Sequence, residues 1–391
     1  MSFSLTGLTA ISALGAGVAA HSSALQARRS GLRPNDYEDA TGGWIGRVPG
    51  IEAHRLPAGL QQFDCRNNRL ADMALRTDGF MAIVAGAVHR YGAGRIAVVL
   101  GTSTSGVEAA EIAYRGRDDA GDLPSGFDFR GTQDIASMGA YVQQTLGLAG
   151  PVMVISTACA SSARSMVDAA RLIDSGVVDA AIVGGADTLC RMTLHGFAAL
   201  ELISPVPTRP CAADRAGISI GEAAGFALLE RDGPAGAMRL LGWGVSSDGY
   251  HMSSPHPEGT GAIAAMHGAL GRAGLEPCAL DWINLHGTGT RANDAAEDRA
   301  VTAVLGGADV PVSSTKGYTG HTLGACGVLE AVIAQCCMRD GIAAGCLGID
   351  VPDPAFAMRV LTANEVRPVR RVLSNAFGFG GTNCSLVFGT A

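Results

Sequence analysis

Short runs of β-branched and other apolar residues at 96–100, 152–155, 181–183 and 282–285 alternate with alanine-rich stretches of helical spacing. No other feature constrains the fold as strongly. Strands buried on both faces read as continuous apolar runs, and helices must cover them. The pattern predicts an α/β protein built on buried parallel strands. Further runs at 225–229, 372–373 and 385–388 read as strands, the last two forming a hairpin. Asp232-Gly233-Pro234 breaks the pattern, which predicts a boundary between 1–235 and 236–391 without a flexible linker. No tandem repeat is visible.

A chain of 391 residues, 47% of them apolar, can bury a large core. With 36 acidic residues against 29 Lys plus Arg, the net charge of −7 disfavours a general nucleic-acid or anionic-membrane binder. The ten cysteines contain no CxxC pair, so neither a disulfide framework nor a zinc ribbon is indicated, and a reducing cytoplasm is expected. The apolar stretch 5–20 lacks a basic start and is broken by Gly7, Gly15 and Gly17, unlike a signal peptide. No apolar run is long enough for a membrane span. Of the 29 basic residues only Lys316 is a lysine, which suggests a place where a guanidinium cannot substitute for a compact ammonium.

Four segments carry residues with chemical potential. In the first, an apolar strand runs into Ser-Thr-Ala-Cys159-Ala-Ser-Ser and then into a helical pattern ending near Gly176. That places Cys159 near a helix N-terminus, where the dipole is expected to lower the thiol pKa and leave an accessible nucleophile. In the second, a strand ends in Leu-His286-Gly-Thr288-Gly-Thr290, and ligands of α/β folds bind at such strand ends. The third, Ser-Thr-Lys316-Gly-Tyr-Thr-Gly-His321, puts His321 near the start of an apolar helix, where a neutral imidazole is favoured. The fourth, Ser-Asn-Ala-Phe377-Gly-Phe379-Gly-Gly-Thr-Asn383, is a glycine-rich turn whose N–H groups could form an oxyanion hole.

In this order the four blocks resemble the β-ketoacyl-acyl-carrier-protein synthases of the thiolase superfamily, over essentially the whole chain. Asn293-Asp294, His195-Gly-Phe197 and 251–256 look closest to the synthases of aryl polyene pathways. The resemblance implies a five-layered αβαβα thiolase fold with two pseudo-equivalent halves, no cofactor beyond the phosphopantetheine of an acyl carrier protein, no metal, and a homodimer or a heterodimer with a related subunit. It implies that Cys159 is acylated, that His286 and His321 donate to the malonyl thioester carbonyl, and that Lys316 is their electrostatic partner, held by Glu297. The N–H groups of Cys159 and Phe379 would form the oxyanion hole and Phe379 would gate the pocket. Thr288 and Thr290 would bind the pantetheine arm, and Arg66 and Arg69 would dock the acidic carrier. Where the family reads RPFDxxRDGF, Ala216 and Ile218 replace an acidic and an aromatic residue, which bears on the shape of the malonyl pocket.

Four rival readings compete. Gly15-Ala-Gly17-Val-Ala-Ala20 fits a GxGxxA dinucleotide fingerprint, with Asp36 and Glu38 downstream. The stretch 101–106 misses a GxSxG hydrolase elbow by one residue. A degradative thiolase would carry a second catalytic cysteine in a motif that Cys384 lacks. A non-catalytic subunit of a condensing heterodimer would share the fold, but retention of Cys159 and both histidines argues against it.

Overall fold

The computed structural model describes residues 2–37 and 42–390, and its organising element is a mixed sheet with ten strands in line. In chain order these are β1 (Phe3–Ser12), β2 (Ile96–Gly101), β3 (Val152–Ile155), β4 (Ala180–Asp187), β5 (Ala223–Glu230), β6 (Met238–Ser247), β7 (Trp282–Asn284), β8 (Val312–Ser313), β9 (Arg371–Gly378) and β10 (Thr382–Thr390). Across the sheet they run β8-β7-β9-β10-β6-β1-β5-β4-β2-β3. Three parallel strands at each end, β3-β2-β4 and β8-β7-β9, pass into antiparallel pairs, β5-β1 and β10-β6. Each strand of the first half thus has a counterpart five places later, and the halves join where Phe3, Ser4 and Leu5 pair with Leu240, Arg239 and Met238. The fold is the expected thiolase arrangement of two pseudo-equivalent halves.

The predicted parallel strands and the β9–β10 hairpin are present, but the sheet is mixed because β1, β5, β6 and β10 run antiparallel to their neighbours. Helices α1 (Gly17–Gln26), α2 (Arg66–Leu75), α3 (Ser161–Asp174), α4 (Arg191–Ala199), α5 (Thr260–Ala273), α6 (Arg291–Leu305) and α7 (Cys326–Asp340) cover it. Helices α3 and α7 pack on each other within the largest apolar cluster, with Met166, Val167, Ala170, Val328 and Val332 fully buried. They form the middle layer, so their N-terminal ends sit in the molecular interior.

Gly17 opens α1, yet the region is no dinucleotide site. The Asp78 carboxylate occupies the helix start, accepting from the Val18 N–H at 3.0 Å and the Thr9 hydroxyl at 2.9 Å. Asp36 pairs with Arg33 and Arg47, and Glu38 lies outside the described residues. Among the described residues no helix is long and apolar enough to cross a membrane.

Candidate active site

All four segments converge where the strands of the two halves end. Cys159 follows β3, and Lys316 and His321 follow its counterpart β8. His286 follows β7, and Phe377 and Phe379 end β9 and begin the hairpin turn. The site therefore lies at carboxyl ends of parallel strands, as the topology dictates.

The nucleophile loop is tightly drawn. Ala158 adopts a left-handed φ of 48°, a conformation costing on the order of 1–3 kcal/mol for a residue with a side chain. The Ser161 hydroxyl holds the loop by donating to the Ala158 carbonyl at 2.6 Å and accepting from the Thr157 N–H at 3.0 Å. The glycine-rich turn approaches so closely that a Cβ on Gly378 would stand 2.8 Å from the Thr157 carbonyl and 3.2 Å from the Cys159 nitrogen. A side chain there would push Phe379 away from the sulfur.

Cys159 Sγ lies 3.0 Å from His321 Nε2. The His286 and His321 rings meet edge to face at 5.2 Å, and the sulfur and one nitrogen of each ring lie within 4.8 Å of one another. These three could in principle ligate a soft cation, but the buried Lys316 ammonium beside them opposes positive charge. Burial, and then the Lys316 charge, hold both imidazoles well below the usual histidine range. Each is neutral at pH 7 and retains one N–H to donate. Helix α7 begins only at Cys326, after a turn at Leu323–Ala325, so a helix dipole is not the cause.

The expected accessible, acidified thiol is a misreading. Cys159 is 5% exposed and burial pushes its thiol up to about 12, with Lys316 pulling against the rise and Asp187 adding to it. The N–H groups of Phe379 and Cys159 also favour the thiolate. Helix α3 starts at Ser161, and its dipole does not outweigh desolvation.

Lys316 is not held by Glu297. Its ammonium donates to Glu330 at 2.7 Å; burial acts to lower it, but the Glu330 carboxylate keeps it above the ordinary lysine range. Glu297 instead clamps the other histidine loop, accepting the N–H groups of His286 and Gly287 at 2.8 Å each and the Asn375 amide at 3.2 Å. Sequence reasoning missed Glu330, although a lone acid within the apolar run 326–338 was a visible signal.

Two cavities meet at Cys159 and Phe379. A narrow one of about 90 Å³ is lined by Thr288, Thr290, Asn293, His286 and His321. Thr288 and Thr290 hydroxyls lie 3.0 Å apart, and Thr290 caps α6 by accepting from the Asn293 N–H. A wider apolar one of about 300 Å³ is lined by Ser103, Thr104, Met192, Leu200 and Leu323. Phe379 faces both, with its ring 5.5 Å from Phe197. Ile218 lines the narrow cavity, whereas Ala216 is exposed. Arg215 of the same segment is buried, donating to Asp353 at 2.5 Å.

Arg66 is not a surface docking residue. It is 4% exposed, and its guanidinium binds Glu222 through two nitrogens at 2.8 and 3.0 Å and Glu52 at 2.9 Å. Arg69 is partly exposed and makes a two-point pair with Asp64 at 2.6 and 2.8 Å.

Comparison with known proteins decides the family. The β-ketoacyl synthase N-terminal domain matches residues 6–235, and the β-ketoacyl synthase C-terminal domain matches residues 238–350. The chain belongs to the β-ketoacyl synthase family. The 3-oxoacyl-[acyl-carrier-protein] synthase 2 of Vibrio cholerae is 31% identical, with 98% of each chain covered. A ketosynthase (ApeO) in complex with its chain length factor (ApeC) from Xenorhabdus doucetiae is similar with a TM-score of 0.90 at 37% identity, covering 100% of this chain and 98% of that one. The ishigamide ketosynthase/chain length factor matches with a TM-score of 0.89 at 28% identity, covering 100% and 99%. These likenesses leave no room for the oxidoreductase and hydrolase readings.

Proposed function

We propose that this β-ketoacyl synthase condenses an acyl group carried on Cys159 with a malonyl unit on an acyl carrier protein. The observation that carries this is the buried sulfur 3.0 Å from a neutral imidazole, with a second imidazole beside it and a cavity on either side. In acylation the sulfur attacks the acyl thioester carbon, the bond to the carrier's pantetheine sulfur breaks, and the thiol proton leaves with that sulfur. The N–H groups of Cys159 and Phe379 face the developing oxyanion. The acyl chain then lies in the wide apolar cavity. The malonyl arm enters the narrow one along Thr288 and Thr290.

The malonyl carbon–carboxylate bond breaks and carbon dioxide leaves. His286 and His321 donate to the enolate oxygen, and Lys316 lowers the energy of the negative charge from a short distance. The enolate carbon attacks the Cys159 thioester, the sulfur leaves, and the β-ketoacyl product stays on the carrier. The pantetheine arm belongs to the substrate, so the reaction needs no resident cofactor or metal. We place the chain in the aryl polyene subgroup on Asn293-Asp294, His195-Gly-Phe197 and 251–256, in the cytoplasm. Its ten cysteines are all free, which suits that compartment.

The exposed edge of β3, with Met153 40% accessible at the end of the sheet, suits pairing with a related subunit; the Xenorhabdus doucetiae ketosynthase named above is in complex with a chain length factor. Intact-mass measurement after incubation with acyl carrier thioesters tests the reaction. A mass gain that Cys159→Ala removes, followed by transfer to malonyl carrier, is expected. A label on another cysteine would overturn the assignment.

A further inference from the structure

Asp187, the last residue of β4, belongs to none of the four motifs, and its side chain is fully buried. Its carboxylate accepts from six donors: the Thr102, Ser103 and Thr104 hydroxyls at 2.7, 2.5 and 2.8 Å, the Ser103 and Thr104 N–H groups at 2.8 Å each, and the Gly324 N–H at 2.5 Å. The donors come from two places far apart in sequence, the loop after β2 and the turn after His321. Ser103, Thr104 and Leu323 from those two places line the wide cavity beside Cys159.

Both segments hold backbone that does not relax there unaided. Leu323 has a φ of 52° and Ser105 of 45°, left-handed values unfavourable for residues with side chains. The peptide N–H following Leu323 is the one Asp187 accepts. The contact leaves no slack, since a Cβ on Gly324 would stand 2.7 Å from Asp187 Oδ2.

We propose that Asp187 is a positioning residue for the acyl side of the site, fastening Ser103, Thr104 and Leu323 into one cavity wall and so setting which acyl chains Cys159 accepts. This rests on the reading that Cys159 is acylated and its chain occupies the wide cavity. The negative charge of Asp187 also reaches the sulfur, where it opposes thiolate formation.

Two substitutions test it. Asp187→Asn keeps the shape, but its amide nitrogen cannot accept the Gly324 N–H. Gly324→Ala retains the charge and displaces the carboxylate. Rates of Cys159 acylation from acetyl and long-chain acyl carrier thioesters are measured by intact mass, with unfolding midpoints recorded alongside. The expected result in both variants is a roughly tenfold or greater loss with the long chain and less than about threefold with acetyl, since a small misplacement of a positioning group suffices. The midpoint of Cys159 alkylation should move to lower pH in Asp187→Asn alone, because only that variant removes the charge. Equal losses with both donors, or an unchanged chain preference, overturn the role of Asp187. If Asp187→Asn does not fold, Gly324→Ala decides by the same chain-length comparison. A wild-type protein that takes no acyl group at Cys159 refutes the proposed function itself, a separate result.

Discussion

Arg66 and Lys316 are both buried cations, 4% and 1% exposed, and both face carboxylates. Arg66 spreads its fork over Glu222 and Glu52 and stacks 5.3 Å from the Tyr37 ring, so its donors are consumed by fixed partners. Lys316 makes one short bond to Glu330, while its charge reaches Cys159, His286 and His321. One cation is spent on holding the protein together. The other keeps a field in reserve for reacting atoms, and a compact ammonium suits that task better than a fork.

The difference can be broken by substitution. Lys316→Met should have the largest effect: it leaves Glu330 buried without its partner, about 3–5 kcal/mol of stability, and lowers condensation by roughly 10³ or more. Adding Glu330→Gln should restore much of the stability and none of the activity, as read by thermal unfolding and product formation. Arg66→Met should cost a similar ~3–5 kcal/mol, yet the protein that remains folded should be acylated within about threefold of wild type, an order-of-magnitude expectation for a group remote from the reaction. Selective loss of condensation in Arg66→Met would erase the distinction.

Lys316→Arg keeps the charge but disturbs its place, and condensation should fall on the order of 10²; wild-type turnover would show that the lone lysine is an accident of composition. Glu297 gives a pH test. Burial lifts its carboxyl from 4.5 to about 7, so the folded state favours the protonated form. Its contribution to stability is complete below 4.5 and is lost as pH rises through about 7. Denaturant titrations across that window should show a downward slope that Glu297→Gln flattens. Smallest is Arg69→Ala, about 0.2–1 kcal/mol from a partly exposed pair.

What was legible in the sequence depended on how local the signal was. Strands β2, β4 and β7 announce themselves because burial on both faces demands unbroken apolar residues; β3 carries the same apolar run although, at the sheet edge, it is only half-buried. Strand β1 did not, since Thr6, Gly7, Thr9 and Ser12 interrupt its apolar run; the Thr6 hydroxyl is satisfied by Glu230 and Thr9 by Asp78, partners 224 and 69 residues away. Cys159, His286, Lys316 and His321 were found as motifs, but their partners were not. Glu297 and Glu330 are both buried acids of the C-terminal half, and only the fold tells which clamps a backbone and which faces the ammonium. The thiol was misjudged for a related reason: a helix start is visible in sequence, whereas desolvation depends on what closes over it.

Strand β1 has a further consequence, for the order in which the chain can assemble. It occupies Phe3–Ser12 but is flanked by Ala223–Glu230 on one side and by Met238 to Leu240 on the other. Apart from the short local pairing of Ile11 and Ser12 with Ala16 and Gly15, β1 must wait during synthesis until residues 223–240 are made before these two neighbours exist. Such non-local pairing slows folding, and until it closes most of the strand presents unpaired backbone N–H and C=O groups to other nascent chains, an aggregation hazard the finished sheet conceals.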